Sequence, residues 1–260
     1  MANPALSNNP AFKNGDVASA VELQDLYERP SATGSEMGRM TYEDTAVKTV
    51  VLFAVLLATS AVGWFVPILA LPGAIVGFVL AMVNTFKREP SVPLIVAYAA
   101  AQGLFVGGIS AIFNTRWDGI VAQAVLGTFI TFGVTLALFA SGKVRASKRA
   151  TKIFLIAMVG YLVFSLVNVG LQLFGVTGSA EFGLRSYPVF GVIPLGALLG
   201  VLVILMAAYA LVLDFDQIQQ GVRRGLPAKY GWTGAFGLMV TIVWLYVEFL
   251  RLIAILRGSN

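Results

Sequence analysis

Three carboxylates stand where apolar sequence surrounds them. Glu248 lies inside GLMVTIVWLYVEFLRLIAIL, and Asp214 and Asp216 lie in YALVLDFDQIQQGVRRG. An ionisable side chain at the centre of a membrane helix costs about 2.5–3.5 kcal/mol on insertion scales, so such residues mark sites of function. Two carboxylates sharing a site resist double ionisation. Such a pair can hold a proton between them, latch a helix contact, or coordinate a hard cation such as calcium through oxygen alone. Arg251 follows Glu248 by three residues and falls on the same helix face, so a local Glu–Arg pair that offsets its own desolvation is the plainer alternative.

The chain holds no cysteine and no histidine, which removes disulfides, thiolate or imidazole metal sites and Ser–His or Cys–His machinery. A retinal-type lysine is missing from the last apolar run, and the GxGD signature of intramembrane aspartyl proteases is missing altogether. No enzyme and no resident cofactor is expected. Calcium enters only as a candidate ion at Asp214 and Glu248.

The elements that position these groups follow from hydropathy. Of 260 residues 58% are hydrophobic and 12% charged, with mean hydropathy +0.83, whereas soluble domains carry roughly 25% charged residues. Lipid must cover part of this surface. Seven runs are long enough to cross a bilayer: Lys48–Val66, Ile68–Phe86, Val92–Phe113, Gly119–Phe139, Ile153–Phe174, Val192–Leu213 and Trp232–Ile255. The first two are parted by a turn near Pro67 and Pro72, and one long broken segment is the alternative there. An all-α bundle of seven transmembrane helices (46–260) preceded by a disordered polar tail (1–45) is expected. The tail has no apolar core or cleavage site of a signal peptide.

Of the 18 Lys and Arg residues, fourteen fall on the side of the tail. Arg116, Arg185, Arg251 and Arg257 fall on the other. The positive-inside rule makes the N-terminus cytosolic. The net charge of +5 gathers in short loops, so the bilayer and not nucleic acid is the expected partner. Glycine pairs at Gly73/Gly77, Gly103/Gly107 and Gly196/Gly200 place small residues on one helix face, for static packing or, less simply, a hinge. Asn168 and Gln172, one turn apart, either bond between helices or line a wet cavity.

Nothing after Leu213 stops the sixth helix before Gly225-Leu226-Pro227. Asp214 then lies ~15 Å before the turn and Glu248 ~24 Å after a start near Trp232. Two antiparallel helices joined by a short loop then set them at broadly similar depth, with a mismatch of roughly 9 Å on these rises for tilt or the loop to absorb. Asp214 occupies the more apolar face of the helix and Asp216 the more polar one.

Three stretches resemble the Bax inhibitor-1 family, also called transmembrane Bax inhibitor motif proteins, in its bacterial branch. They are the basic end of the second span with PLIVAYAAAQGLFVGGIS, then LVLDFDQIQ, and finally WLYVEFLRLIAIL. The resemblance covers residues ~45–256. It implies a bundle whose last helix is enclosed by the others, and a pH-sensitive calcium leak gated by two acids, matched here by Asp214 and Glu248. Glu248 fills a position that is usually aspartate. In the family a basic residue near the end of the second helix pairs with the sixth-helix acid, a role open to Lys87 or Arg88, with Asp216 and Arg251 as further latch residues. Regulation of a protease or stress response through a membrane-protein partner is the alternative. A multi-pass location in the cell membrane, the cytoplasmic membrane of a bacterium, is implied by both.

Overall fold

The computed structural model describes residues 38–178, 182–189, 191 and 193–258. The expected disordered tail lies outside them up to residue 37. Seven helices follow: α1 (Tyr42–Phe65), α2 (Ala70–Phe86), α3 (Val92–Arg116), α4 (Ile120–Ala140), α5 (Lys148–Leu173), α6 (Leu195–Arg223) and α7 (Gly231–Gly258). Each is long and apolar enough to cross a membrane, α2 and α7 when taken with the short 3-10 turns that lead into them. A short 3-10 turn, Pro67–Leu69, breaks the first apolar stretch, so α1 and α2 form a hairpin and not one long helix. Local chemistry sets the ends. Thr41 caps α1 by accepting from the Asp44 amide at 3.1 Å, and Ser147 caps α5 by accepting from Ala150 at 3.2 Å. The sixth helix runs on to Arg223 and stops at Gly225, whose φ of 62° L side chains rarely adopt.

The last helix is the centre of the bundle. In α7 56% of the spanning window is buried inside the protein, against 6% in α5. One apolar cluster packs α7 on α1 and α3 through Leu52, Tyr98 and Met239. A second packs it on α6 through Leu211, Leu238 and Leu245, and a third on α4 through Ala124, Leu250 and Ala254. Ser110 of α3 and Tyr246 of α7 share a buried hydrogen bond of 2.5 Å.

Small residues draw α1, α2 and α3 together. A Cβ at Gly103 would lie 1.9 Å from Thr59 Oγ1, and one at Gly107 would lie 2.0 Å from the Ser60 carbonyl oxygen. Backbone lies against backbone here, which is how membrane helices associate when lipid is as apolar as leucine. By contrast α5 turns Ile153, Ile156, Val159, Leu162 and Leu166 outward. Its ties to the bundle are largely polar, beginning with Thr151, which hydrogen-bonds Tyr209 of α6 at 3.0 Å.

On the tail side, Gly38–Met40 runs antiparallel to the α6–α7 turn. Met40 N donates to Leu226 O at 2.7 Å, Ala228 N donates to Gly38 O at 2.8 Å, and Arg39 bridges Pro227. Lys48 adds a bond to Ala228 O at 2.6 Å, and Lys229 pairs with Glu89 at 3.0 Å. The start of α1, the end of α2 and the α6–α7 turn therefore share one face. On the opposite face Arg257 bonds Asp118 O at 2.8 Å and Gln123 Oε1 at 2.9 Å.

The close glycine contacts make a sharp test. Gly107→Ala should destabilise by about 1–3 kcal/mol, because the new methyl meets backbone that cannot swing aside. Gly133→Ala, with nothing within 4 Å, should leave stability unchanged or slightly raised. Thermal unfolding in detergent separates them, and equal midpoints would refute the close-approach account.

Candidate functional site

Glu248 is 2% exposed, near the middle of the central helix. One of its oxygens, Oε1, accepts from Arg251 Nη1 at 2.6 Å and from the hydroxyl of Tyr161 on α5. The other, Oε2, faces Arg185 Nη1 at 3.9 Å, beyond hydrogen-bond reach, and neither of those two atoms has a hydrogen-bond partner. Arg185 Nη2 donates to the Tyr161 hydroxyl at 3.0 Å and to Ser165 Oγ at 3.2 Å. Arg251 Nη1 also reaches that hydroxyl, at 3.0 Å. The phenol is the hub: it accepts from two guanidinium groups and donates to the carboxylate. The local Glu248–Arg251 pair anticipated from their spacing is present, but it is one arm of a larger cluster.

Arg185 reaches this depth because its loop folds back into the bundle. Tyr161 sits thirteen residues into α5, about 20 Å along it. The loop after α5 forms a 3-10 turn over Gly183–Ser186, then a small hairpin pairing Pro188–Val189 with Ile193–Pro194. Asn168, 5% exposed, clamps the turn from both sides, accepting from Leu184 N at 2.7 Å and donating to Phe182 O at 3.3 Å. Phe182 packs against Trp117 and Phe113. Arg185 lies over the rings of Tyr161 and Phe164, 5.3 and 5.5 Å from their centroids, and is 4% exposed. The positive-inside count puts Arg185 on the outer side, and its side chain faces inward to Glu248 from there.

The half-buried Asp214 has a different neighbourhood. It accepts from Thr241 Oγ1 at 2.6 Å and lies beside Gly237, whose missing side chain leaves it room. Thr241 precedes Glu248 by seven residues, a rise of about 10 Å on α7. The two acids therefore stand at separate levels, each with its own partners, and the depth mismatch is not absorbed. No hydrogen bond joins them among the described residues. Asp216 turns away, accepts from Gln220 Nε2 at 2.6 Å and lines an open cavity of about 660 Å³ with Lys148 and Lys152. Lys87 and Arg88 are exposed and make no ion pair with Asp214 among the described residues. Nor, among those residues, do three acidic groups converge as a resident metal site would need.

Two members of the cluster escaped the sequence reading. Tyr161 was visible as a tyrosine at mid-span, where membrane tyrosines are uncommon because they favour the interfaces. Arg185 carried no local signal, since loop arginines ordinarily sit in water.

Residues 3–258 match a protein-family model described as Bax inhibitor 1 like. The match takes in the polar tail, which the resemblance noted above did not cover. No curated protein matches the chain.

Glu248→Ala leaves the buried Arg185 and the half-buried Arg251 without their counter-charge and should cost about 3–5 kcal/mol. Asp216→Ala, near the exposed end of α6, should change stability by about 0.5 kcal/mol or less. Denaturation of the detergent-solubilised protein measures both, and an innocuous Glu248→Ala would show that the cluster does not hold the bundle.

Proposed function

The chain belongs to the Bax inhibitor 1 like family of multi-pass membrane proteins, and we propose that it is a pH-sensitive cation leak with calcium as the permeant ion. The observation that carries this reading is the burial of Glu248 at the centre of α7, held by two arginines and a tyrosine. Ionisable clusters at membrane depth are costly and mark ion or proton pathways. Asp214, on α6 and bonded to Thr241 of α7, supplies a second carboxylate facing α7 about two turns nearer the tail side. The two acids act as successive stations along α7. Asp214 is the inner, titrating one, and Glu248 is blocked while Arg185 and Arg251 occupy it. Passage requires the Arg185 loop to withdraw.

The sign of the pH dependence follows from ligand chemistry. Only an ionised carboxylate attracts a divalent cation, so protonating Asp214 lowers flux. A regulatory role through a protein partner is the second reading. The pairing of Gly38–Met40 with the α6–α7 turn favours it, because any partner gripping the tail would pull on the hairpin that carries both acids.

Reconstitution in calcium-containing liposomes decides between them. Flux should be higher at about pH 8 than at about pH 6, because protonation removes the charge that draws the cation. Asp214→Asn should flatten that rise, and Arg185→Gln should increase basal flux about tenfold by removing the plug, equivalent to about 1.4 kcal/mol. Flux insensitive to both substitutions would refute the stations. No flux at any pH would refute the leak and leave the regulatory reading.

A further inference from the structure

Beside the Glu248 cluster is a cavity of about 210 Å³, bounded by α5, α7 and the refolded loop and lined by Tyr161, Ser165, Asn168, Gln172, Arg185 and Arg251. Gln172 is exposed and the Arg251 side chain is 29% exposed, so the cavity is open at its rim. We propose that it is a binding site for an oxyanion of the phosphate or carboxylate class.

Charge is the first support. Two guanidinium groups face one carboxylate among the described residues, leaving one positive charge in surplus at membrane depth. An uncompensated buried charge is strongly destabilising, and an anion in the adjoining space offsets it. Hydrogen-bonding capacity is the second, independent support. Arg185 Nη1 is buried without a hydrogen-bond partner. Arg251 engages its partners only through Nη1, so Nη2 and Nε have no hydrogen-bond partner among the described residues. The Gln172 amide likewise has no hydrogen-bond partner among them. Asn168 is already committed to the loop, and the Tyr161 hydroxyl to the cluster. What remains is rich in donors and poor in acceptors. An arginine-lined site of this kind suits a ligand that only accepts, and planar guanidinium groups match carboxylate and phosphate oxygens in pairs. Closure of Arg185 Nη1 onto Glu248 Oε2 would satisfy those two atoms, yet the surplus charge and the remaining Arg251 donors would stay.

Size narrows the ligand. At about 30 Å³ per water, the cavity holds about seven waters, enough for a phosphate or a short carboxylate with some hydration but not for a whole phospholipid. A free anion could enter from the rim, or a lipid could insert its phosphate end. With Arg185 and Arg251 held on Glu248 the same surplus charge makes the cavity hostile to calcium, and the anion site does not depend on the leak reading.

The full chain, reconstituted in phosphatidylcholine nanodiscs, is titrated with sodium phosphate and sodium acetate at constant ionic strength, with sodium chloride as control, and thermal unfolding is followed. In parallel, retained lipid is measured by native mass spectrometry after exposure to phosphatidylglycerol. Saturable stabilisation by phosphate or acetate beyond chloride identifies a free oxyanion. Selective retention of phosphatidylglycerol identifies a headgroup. Either should weaken about tenfold in Arg251→Gln, the loss of one charge-assisted contact. Gln172→Leu, at the exposed rim, gives the same readout should Arg251→Gln fold poorly. Absence of both effects, or effects equal in wild type and the Gln172→Leu and Arg251→Gln variants, would overturn the proposal.

Discussion

A carboxylate on the central helix is almost wholly withdrawn from the surface, and much of the outer half of the molecule is arranged to offset its charge. Glu248 is answered by Arg251 from its own helix, by Tyr161 from α5 and by Arg185 from a loop that folds inward to reach it. Asn168, Phe182 and the small hairpin then hold the loop in place. One buried charge thus recruits elements far apart in sequence. The ordinary driving force for burying α5 is weak here, because its apolar face is as well served by lipid as by protein. Polar fastening takes the place of apolar packing.

The bundle divides accordingly. Helices α1, α2 and α3 meet through glycines at distances that admit no side chain, and such contacts resist sliding. Helix α7 is wedged against them, and α6 is paired with it along most of its length. Helix α5 and the Arg185 loop are held by a handful of hydrogen bonds and one loose ion pair. A rearrangement that exposes Glu248 would therefore draw on α5 and its loop and leave the glycine-packed half intact. The tail root approaches from the opposite face, on the turn between the helices that bear the two acids.

Much of this was legible in the sequence, for physical reasons. Apolar length gave the seven spans, since a helix must satisfy its backbone within lipid. The run from Leu213 to Arg223 lacks proline, so α6 continues past the apolar stretch. The spacing of Glu248 and Arg251 announced their contact. What was hidden depended on tertiary geometry. Rise per residue left a mismatch of roughly 9 Å between Asp214 and Glu248 that tilt or the loop was expected to absorb, and only the packing of α6 on α7 shows that Asp214 meets Gly237 and Thr241 instead. Hydropathy treats a loop arginine as solvated, and nothing near Arg185 in sequence reveals that its loop turns inward.

The central claim is that Arg185 and Glu248 act as one buried unit despite lying 63 positions apart in the sequence. A double-mutant cycle with Arg185→Gln and Glu248→Gln, read by thermal unfolding of the purified protein, tests it directly. Each single substitution should destabilise, and the double variant should fall short of their sum by about 1–3 kcal/mol, as for groups in one ionic network. Strict additivity would mean that the loop arginine and the central carboxylate do not hold each other, and the account built on them would fail.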